Sequence, residues 1–395
     1  MSLSTLPLSY CMNVHPGRTV EEVEQGLDRF TCPVQENYAA PLAAGLWLAR
    51  SVVRELLQSP NELTRFAEGL ATRDLSCHTL NAFPYGDFHS DRVKETVYIP
   101  DWSQPERLDY TTDCARVLAA LMPEGCEGSI SSLPLGFKQT PHGEDFFDRC
   151  IDQLLELSRR LDALHDDTGK VVRLGLEPEP VCLIETTAEA IDFFNRLWQM
   201  ARQLDELEAV KRHIGLCYDV CHQAVQFEDI EQSIAELHQA GVRINKVHVT
   251  CAIHVDDPGA DSEARHALAR YAEPRYLHQT NARLPDGEIL RMLDLTREFA
   301  VNPDRGFADA DAWRVHFHVP VDAEELGPLK TTRPELKQAL AAVAGLDYPP
   351  HLEVETYTWE VLPDGNRTEL VDGLTNELTA TRGLLAELQL NRAGQ

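Results

Sequence analysis

Short segments with a strand-like pattern alternate along the chain with longer segments of helical periodicity. The strand-like segments are residues 8–15, 75–82, 129–133, 171–177, 214–219, 244–250, 314–319 and 352–357. Between them, apolar residues recur every three or four positions, as in residues 150–165. Two of these helical segments open with a capping-box pattern, formed by Thr186 with Glu189 and by Thr332 with Glu335.

Eight strands that alternate with helices in one series predict an α/β protein with a parallel sheet closed as a (β/α)8 TIM barrel. We expect residues 1–395 to form this barrel as a single domain, with a doubly wound open sheet as the alternative. Long βα loops are expected after strands 2 and 6, at residues 83–127 and 251–312. Both belong to the C-terminal face, where barrel enzymes build their active sites. The second is expected to cover the pocket, or else to be a solvent-exposed insertion.

Four of the predicted strands carry polar residues at every second position. Their apolar face must pack on the helices, so their polar face points into the barrel lumen. The residues early in these strands are Arg173, Lys246, Arg314 and Glu353. We expect these four to neutralise one another as an internal ion network, because buried charges are costly unless they are paired.

Five successive predicted strands end in side chains of the kinds that bind metals. The candidate metal ligands are Glu177, Asp219, His248, His318 and Glu355, with His222 one helical turn after Asp219, and His316. Singly, Asp219 could be a helix cap, His248 a core histidine, and Glu355 a partner of Arg314. Their convergence predicts a divalent metal site, and mixed nitrogen and oxygen ligands suit Zn²⁺, Mn²⁺, Co²⁺ or Fe²⁺ better than Mg²⁺.

Other polar residues near the strand ends are candidates for binding a substrate. They are His15, Asn81, Lys94 and, besides its possible metal role, His222. A local turn or an ordinary loop is the alternative for the first three. Cys217 and Cys221 flank Asp219 and are interpreted as packed thiols.

Composition narrows the choice of partners. The chain has 395 residues, and its 64 acidic and 36 basic side chains give a net charge of −28, which argues against nucleic acids and anionic membranes. The most apolar stretch, residues 41–48, is too short to be a transmembrane segment. The N-terminus lacks a signal-peptide pattern, and the ten cysteines lack paired short spacings. We therefore expect a cytoplasmic protein with reduced thiols.

The strand-end residues resemble the xylose isomerase-like barrel superfamily, which includes sugar isomerases and epimerases, inosose dehydratase and endonuclease IV. The matching pieces are Leu176-Glu177-Pro178, Asp219 with His222, His248 and Glu355. Similarity to the epimerases implies that residues 177, 219, 248 and 355 bind one divalent metal, and that Glu177 and Glu355 also act as acid and base. Similarity to endonuclease IV implies a further zinc site at His222, His316 and His318.

Over nearly its full length, the chain is similar to the EboE family of metabolite traffic proteins. The shared phrases are Asn13-Val-His-Pro-Gly17, Asn81-Ala-Phe-Pro-Tyr-Gly86, Val97-Tyr-Ile-Pro-Asp-Trp102, Ser129-Ile-Ser-Ser-Leu-Pro-Leu-Gly136, Leu176-Glu-Pro-Glu-Pro180, Cys217-Tyr-Asp-Val-Cys-His222, Tyr276-Leu-His-Gln279, His316-Phe-His-Val-Pro320 and Glu353-Val-Glu-Thr-Tyr-Thr-Trp359. This resemblance implies an association with an operon for prenylated or aromatic secondary metabolites and their traffic. Partners among the proteins of the same operon are expected on that ground.

Three functions remain open from the sequence. The leading hypothesis is a metal-dependent isomerase or epimerase that acts on a polyhydroxylated small molecule, such as a sugar, a cyclitol or a prenylated metabolite. The second is a metal-dependent phosphodiesterase or hydrolase of the endonuclease IV type. The third is a non-catalytic carrier or scaffold for a metabolite.

Overall fold

The computed structural model describes residues 4–363 and 368–393. Its strands are β1 (Leu8–Cys11), β2 (Leu42–Trp47), β3 (Ser76–Asn81), β4 (Gly128–Ser132), β5 (Val172–Leu176), β6 (Ile214–Asp219), β7 (Ile244–Val249), β8 (Cys251–Asp256), β9 (Thr280–Arg283), β10 (Ile289–Met292), β11 (Ala312–Val319), β12 (Glu325–Leu326), β13 (Leu329–Thr331) and β14 (His351–Val354). Its α-helices are α1 (Val20–Gly26), α2 (Cys32–Tyr38), α3 (Arg50–Leu57), α4 (Pro60–Thr72), α5 (Pro105–Leu121), α6 (Phe146–Thr168), α7 (Thr187–Gln203), α8 (Leu207–His213), α9 (Val220–Val225), α10 (Ile230–Ala240), α11 (Ser262–Leu268), α12 (Arg297–Val301), α13 (Arg305–Ala308), α14 (Arg333–Val343) and α15 (Leu370–Ala393).

Eight parallel strands close into a barrel in the order β1-β14-β7-β6-β5-β4-β3-β2. Helices connect the consecutive strands, and their apolar faces pack with the outer faces of the strands in one continuous core. The predicted α/β barrel is therefore confirmed, and the open doubly wound sheet is wrong. Within the described helices, none is both long and apolar enough to cross a membrane.

One barrel strand was missed by the sequence pattern, and one predicted barrel strand lies elsewhere. The missed strand is β2, in which all six residues are buried. Its run of leucine, alanine and glycine has no polar alternation, so it did not match the pattern of the other strands. Residues 314–319, predicted as the seventh barrel strand, lie in β11, which pairs antiparallel with β8 and β9. Alternation alone does not distinguish a barrel strand from a strand of another sheet.

A second, antiparallel sheet stands at the carboxyl end of the barrel. Its six strands follow the order β10-β9-β11-β8-β13-β12, and we call it the cover sheet. Because β8 begins at Cys251, directly beyond the end of β7 at Val249, the chain passes from barrel to cover without a loop. The segment 251–312, expected to be a long loop, thus contains strands and short helices. This segment follows the seventh barrel strand rather than the sixth. The connection 83–127, which contains α5, follows the third barrel strand rather than the second. Both numbers rise by one because β2 was not predicted.

The two predicted capping boxes differ in outcome. The box of Thr186 and Glu189 is present at the start of α7. At the start of α14 the Thr332 side chain caps nothing in its own helix. Its hydroxyl instead accepts a hydrogen bond of 2.8 Å from the backbone N–H of Ala252. This contact ties α14 to the cover sheet.

Candidate active site

Three carboxylates surround the imidazole of His248 at the carboxyl ends of the barrel strands. The His248 Nδ1 atom lies 2.9 Å from Glu177 Oε1, 3.0 Å from Glu355 Oε2 and 3.5 Å from Asp219 Oδ2. All four side chains are buried, and one ligand atom from each lies within 4.8 Å of the others. We call these residues the four-residue cluster. The structure thus brings together four strand-end residues that the sequence pattern singled out.

Two carboxylate oxygens of this cluster are buried without a donor. Asp219 Oδ1 accepts hydrogen bonds from the backbone N–H of His222 at 3.0 Å and from Thr250 Oγ1 at 2.7 Å, so Asp219 does cap α9. Among the described residues, Asp219 Oδ2 and Glu177 Oε2 have no hydrogen-bond partner. Buried oxygens of this kind are costly unless a donor or a cation satisfies them. The helix-cap alternative therefore explains one oxygen of Asp219 and leaves the other for a ligand.

The third carboxylate, Glu355, is held from the other side by two amides. Its Oε1 accepts hydrogen bonds from Asn13 Nδ2 at 2.8 Å and from Asn81 Nδ2 at 2.9 Å. Asn81 Oδ1 in turn accepts from the backbone N–H of Phe83 at 2.8 Å. Asn81, predicted to bind a substrate, therefore has its amide engaged in orienting Glu355. Asn13 keeps its Oδ1 unpartnered within residues 4–363 and 368–393.

Charge balance in the four-residue cluster depends on a proton. Burial lowers the pKa of His248, but the neighbouring Cys217, Glu177 and Glu355 outweigh burial and raise this pKa well above its usual value. Burial raises the pKa of Glu177 to about 7. Burial alone would raise the pKa of Asp219. The effect of the nearby His222 and His318 is larger, and holds this pKa below its usual range. A divalent cation among these carboxylates would replace the compensating proton on His248.

Three further histidines near the four-residue cluster are each held by a hydrogen bond at Nδ1. Each Nδ1 atom faces an oxygen that can only accept: His222 faces the Pro178 carbonyl at 2.9 Å, His316 faces Gln279 Oε1 at 2.7 Å, and His318 faces the Glu355 carbonyl at 2.8 Å. The proton of each neutral ring is therefore on Nδ1, which leaves a lone pair on Nε2. Histidines that bind metals are oriented by such partners.

The Nε2 atoms of these histidines converge. His222 Nε2 lies 3.1 Å from His316 Nε2 and 3.4 Å from His318 Nε2. Burial lowers the pKa of His222 to about 4, so facing lone pairs repel unless a proton or a cation lies between them. Asp219 can join His222 and His318 around one ion, and Cys221 can join His316 and His318. The interpretation of Cys221 as a packed thiol agrees with its burial, but its sulfur also lies near His316 and His318.

Lower in the lumen, a different ion network exists from the one predicted. Lys246 and Glu353 form a fully buried pair at 2.5 Å. Arg173 lies outside the lumen network, at the amino-terminal end of the barrel, where it pairs with the exposed Glu127 at 2.6 Å. The prediction was wrong for Arg314, because β11 is not a barrel strand and its guanidinium pairs with Glu335. The suggested contact between Arg314 and Glu355 is absent among the described ion pairs for the same reason.

A cavity of about 60 Å³ lies over the candidate site, between the barrel mouth and the cover. Its polar lining comprises Asn13, Asn81, Lys94, Tyr98, Glu177, Glu179, His222, His316, His318, Glu355 and Tyr357. Its apolar lining comprises Phe83, Pro84, Phe88, Val93, Val97, Tyr276 and Leu277.

Two of the predicted substrate-binding residues are engaged elsewhere. Lys94 lines the cavity, but its ammonium donates hydrogen bonds to Asp294 at 2.5 Å and to the Tyr276 carbonyl at 3.1 Å. The ion pair fixes Lys94 to the cover rather than leaving it free for a substrate. His15 is not part of the described cavity lining, because its ring stacks on Phe30 and its Nε2 lies 2.9 Å from the Tyr10 hydroxyl. The prediction for His15 is corrected accordingly.

A series of hydrogen bonds between polar side chains on the cavity wall was not predicted from the sequence. The Gln279 amide donates to the Tyr98 hydroxyl at 3.1 Å, and this hydroxyl donates to Glu179 Oε1 at 2.7 Å. Burial raises the pKa of Glu179 well above its usual value. The signal in the sequence was the second glutamate of Leu176-Glu-Pro-Glu-Pro180. It falls beyond the end of the strand, where the period-two pattern no longer applies.

No protein-family model and no curated protein matches this sequence. Among solved structures, the chain is similar to a xylose isomerase-like TIM barrel protein from Mycobacterium smegmatis in complex with magnesium, with 12% identity, 98% of this chain and 99% of that chain covered, and a TM-score of 0.49. A D-tagatose 3-epimerase-like protein matches with 12% identity, 97% and 99% coverage and a TM-score of 0.48. The IOLI protein with a binding zinc atom matches with 14% identity, 97% and 99% coverage and a TM-score of 0.46. At these values no activity or ligand transfers to this chain, and membership of the EboE family stays a prediction.

Proposed function

We propose that this protein is a metal-dependent isomerase or epimerase of small molecules. The observation that carries the proposal is the convergence of Glu177, Asp219, Glu355 and His248 within 4.8 Å, fully enclosed by the barrel and its cover. Three buried carboxylates at one point repel one another unless a cation compensates them. The two donor-free oxygens, on Glu177 and Asp219, fit a cation, which needs acceptors only.

The donor set indicates which cations fit. Carboxylate oxygens and imidazole nitrogen together suit Zn²⁺, Mn²⁺, Co²⁺ or Fe²⁺. Bound there, such an ion would act as a Lewis acid on adjacent oxygens of a substrate. Glu177 and Glu355 approach the same His248 nitrogen, so they are suited to take and return a proton at neighbouring positions of one substrate. Asn13 and Asn81 keep Glu355 oriented for this task.

The cavity wall supports a substrate with two different ends. Beyond the carboxylates, part of the lining is apolar and aromatic, and Lys94 is neutralised by Asp294. A sugar hydroxyl buried against Phe88, Val93 or Leu277 would lose its hydrogen bonds, which costs about 1–3 kcal/mol for each group. A molecule with adjacent oxygens at one end and an apolar remainder suits this wall better than a free sugar. Such a metabolite agrees with the operon-linked role in secondary metabolism that the EboE resemblance implies.

Hydrogen exchange tests the proposal with simple carbonyl compounds in place of the natural substrate. We would load the protein with Mn²⁺, Co²⁺ or Zn²⁺ in D₂O, and add D-fructose, 2-keto-myo-inositol or 2-hydroxyacetophenone. The proposal predicts metal-dependent deuterium incorporation next to the carbonyl of at least one probe, detected by NMR. Glu177→Gln and Glu355→Gln should abolish exchange, while the exposed-surface control Glu68→Gln should not. Equal exchange in all three variants would overturn the assignment of acid and base.

A second candidate function is a hydrolase or phosphodiesterase with two cations. The converging lone pairs of His222, His316 and His318 support it, because two nearby ions are typical of such enzymes. The net charge of −28 disfavours a nucleic acid as the substrate. Hydrolysis of bis(4-nitrophenyl) phosphate at two cations per chain, without carbon-bound exchange, would favour this candidate. Ligand binding that survives removal of the metal, with no turnover, would favour a carrier.

A further inference from the structure

The buried pair below the four-residue cluster has four polar neighbours besides its own two charges. Glu353 Oε2 lies 2.5 Å from Lys246 Nζ and 3.3 Å from His248 Nε2. Glu353 Oε1 accepts a hydrogen bond of 3.2 Å from Ser9 Oγ. Lys246 also donates to the Leu80 carbonyl and to Ser131 Oγ, both at 3.3 Å. Glu353 is thus fixed on both oxygens, and one of them faces the ring of a cluster residue.

A glycine on β2 leaves space for the Glu353 carboxylate. Gly45 lies on β2, where a Cβ atom would stand 1.9 Å from Glu353 Oε1. The small residue explains why β2 broke the alternating pattern. The barrel therefore accommodates an anion deep in the lumen, although an apolar side chain would fill that space at lower cost.

The two nitrogens of His248 have opposite requirements. Its Nδ1 faces the three carboxylates of the cluster, and can bind a cation only when it carries no proton. The ring must then hold its proton on Nε2, which needs an acceptor. In the part of the chain that the structure describes, Nε2 has no aligned hydrogen-bond partner. The carboxylate acceptor within reach of Nε2 is Glu353, across the 3.3 Å gap, and the Cys217 sulfur also lies near the ring.

We propose that Glu353, held in place by Lys246, is a positioning residue for the metal site. It accepts a hydrogen bond from the Nε2–H of His248, and so keeps the Nδ1 lone pair directed toward the cation. This inference rests on the proposed metal site, and it adds a role for a pair that the chemistry does not otherwise use. The contrasting interpretation is that the pair only balances charge inside the barrel.

Replacement of both charges separates the two interpretations. Lys246→Met with Glu353→Met leaves no unpaired buried charge, and such replacements are commonly tolerated by the fold. Lys246→Met with Glu353→Gln restores an acceptor for Nε2–H without a charge. The control is Arg173→Met with Glu127→Gln, which removes a partly exposed pair of opposite charges at the amino-terminal end of the barrel. Each variant would be titrated with Co²⁺, followed by visible absorption, with thermal unfolding measured in parallel.

The positioning role predicts that the Met/Met variant binds Co²⁺ about 10- to 100-fold more weakly than wild type. The Met/Gln variant should recover most of this loss, and the Arg173 control should match wild type. Wild-type affinity in the Met/Met variant would overturn the positioning role while leaving the proposed site intact. An absence of Co²⁺ binding by wild type would instead overturn both.

Nitrogen-15 NMR of wild type provides a second test, which does not depend on a comparison of affinities. With Zn²⁺ bound, His248 should carry its proton on Nε2 and show a metal-shifted Nδ1 signal. The signals are assigned by their loss in His248→Gln. A proton on Nδ1, or a metal-shifted Nε2, in the zinc-bound protein would overturn the inference.

Discussion

Replacement of Gly45 by alanine tests how tightly the lumen is filled around the Lys246–Glu353 pair. The added Cβ would lie 1.9 Å from Glu353 Oε1 and 2.5 Å from the backbone carbonyl oxygen of Tyr10. Contacts below 3.0 Å are not tolerated by real Cβ atoms. The carboxylate must therefore retreat by 3.0 − 1.9 = 1.1 Å, and the carbonyl of β1 by 3.0 − 2.5 = 0.5 Å.

The loss in the free energy of unfolding depends on which of these groups moves. Overpacking of a filled interior costs about 1–3 kcal/mol. A retreat of Glu353 away from Lys246 adds part of the roughly 3–5 kcal/mol that a buried charge costs when it loses its partner. We therefore expect Gly45→Ala to lower the free energy of unfolding by about 3–5 kcal/mol.

Urea unfolding followed by tryptophan fluorescence measures this difference. Gly86→Ala is the matched control, because a Cβ at Gly86 meets nothing within 4 Å. It should stay within about 0.5 kcal/mol of wild type. If Gly45→Ala also stays within that margin, the lumen is not filled as the structure describes, and the pair is not held there.

Three further results are expected. Burial raises the pKa of Glu377 from 4.5 to about 8, although its carboxylate accepts three hydrogen bonds. Between these two pH values, the folded state therefore keeps a proton that the unfolded state has lost. The free energy of unfolding should then fall by roughly 3–5 kcal/mol between pH 4.5 and pH 8, and Glu377→Gln should flatten that part of a denaturation series; an unchanged slope would contradict the shift. His316→Ala with His318→Ala should remove one cation per chain in elemental analysis if the histidines hold a second ion, and an unchanged count would exclude it. Gel retardation at about 100 mM salt should detect no binding to an abasic-site duplex, and tight, salt-sensitive binding would contradict that expectation.

The site was more predictable from the sequence than the sheet that covers it. Glu177, Asp219 and Glu355 could be singled out because the carboxyl ends of parallel strands meet at one face and side chains alternate along each strand. The alternation at His316 and His318 is real, but it is the same in an antiparallel sheet. The pattern therefore assigned these two histidines to the wrong sheet, although they still reach the same cavity.

Partners distant in the chain explain the remaining differences. Lys94 is neutralised by Asp294, which lies 200 residues further along, and no local pattern reveals that contact. His15 packs on Phe30 beside Tyr10 instead of facing the cavity, because a short turn ends the alternation of β1. Local periodicity reports which face a residue occupies, whereas the identity of its partner depends on the closed barrel.

Anomalous diffraction at the zinc edge, from crystals grown with Zn²⁺, tests directly whether the four-residue cluster binds a metal ion. We expect a peak among Glu177, Asp219, His248 and Glu355, about 2.0–2.2 Å from their oxygen atoms and from His248 Nδ1. A data set in which this point carries no peak, while zinc is bound elsewhere on the chain, would contradict the proposed metal site.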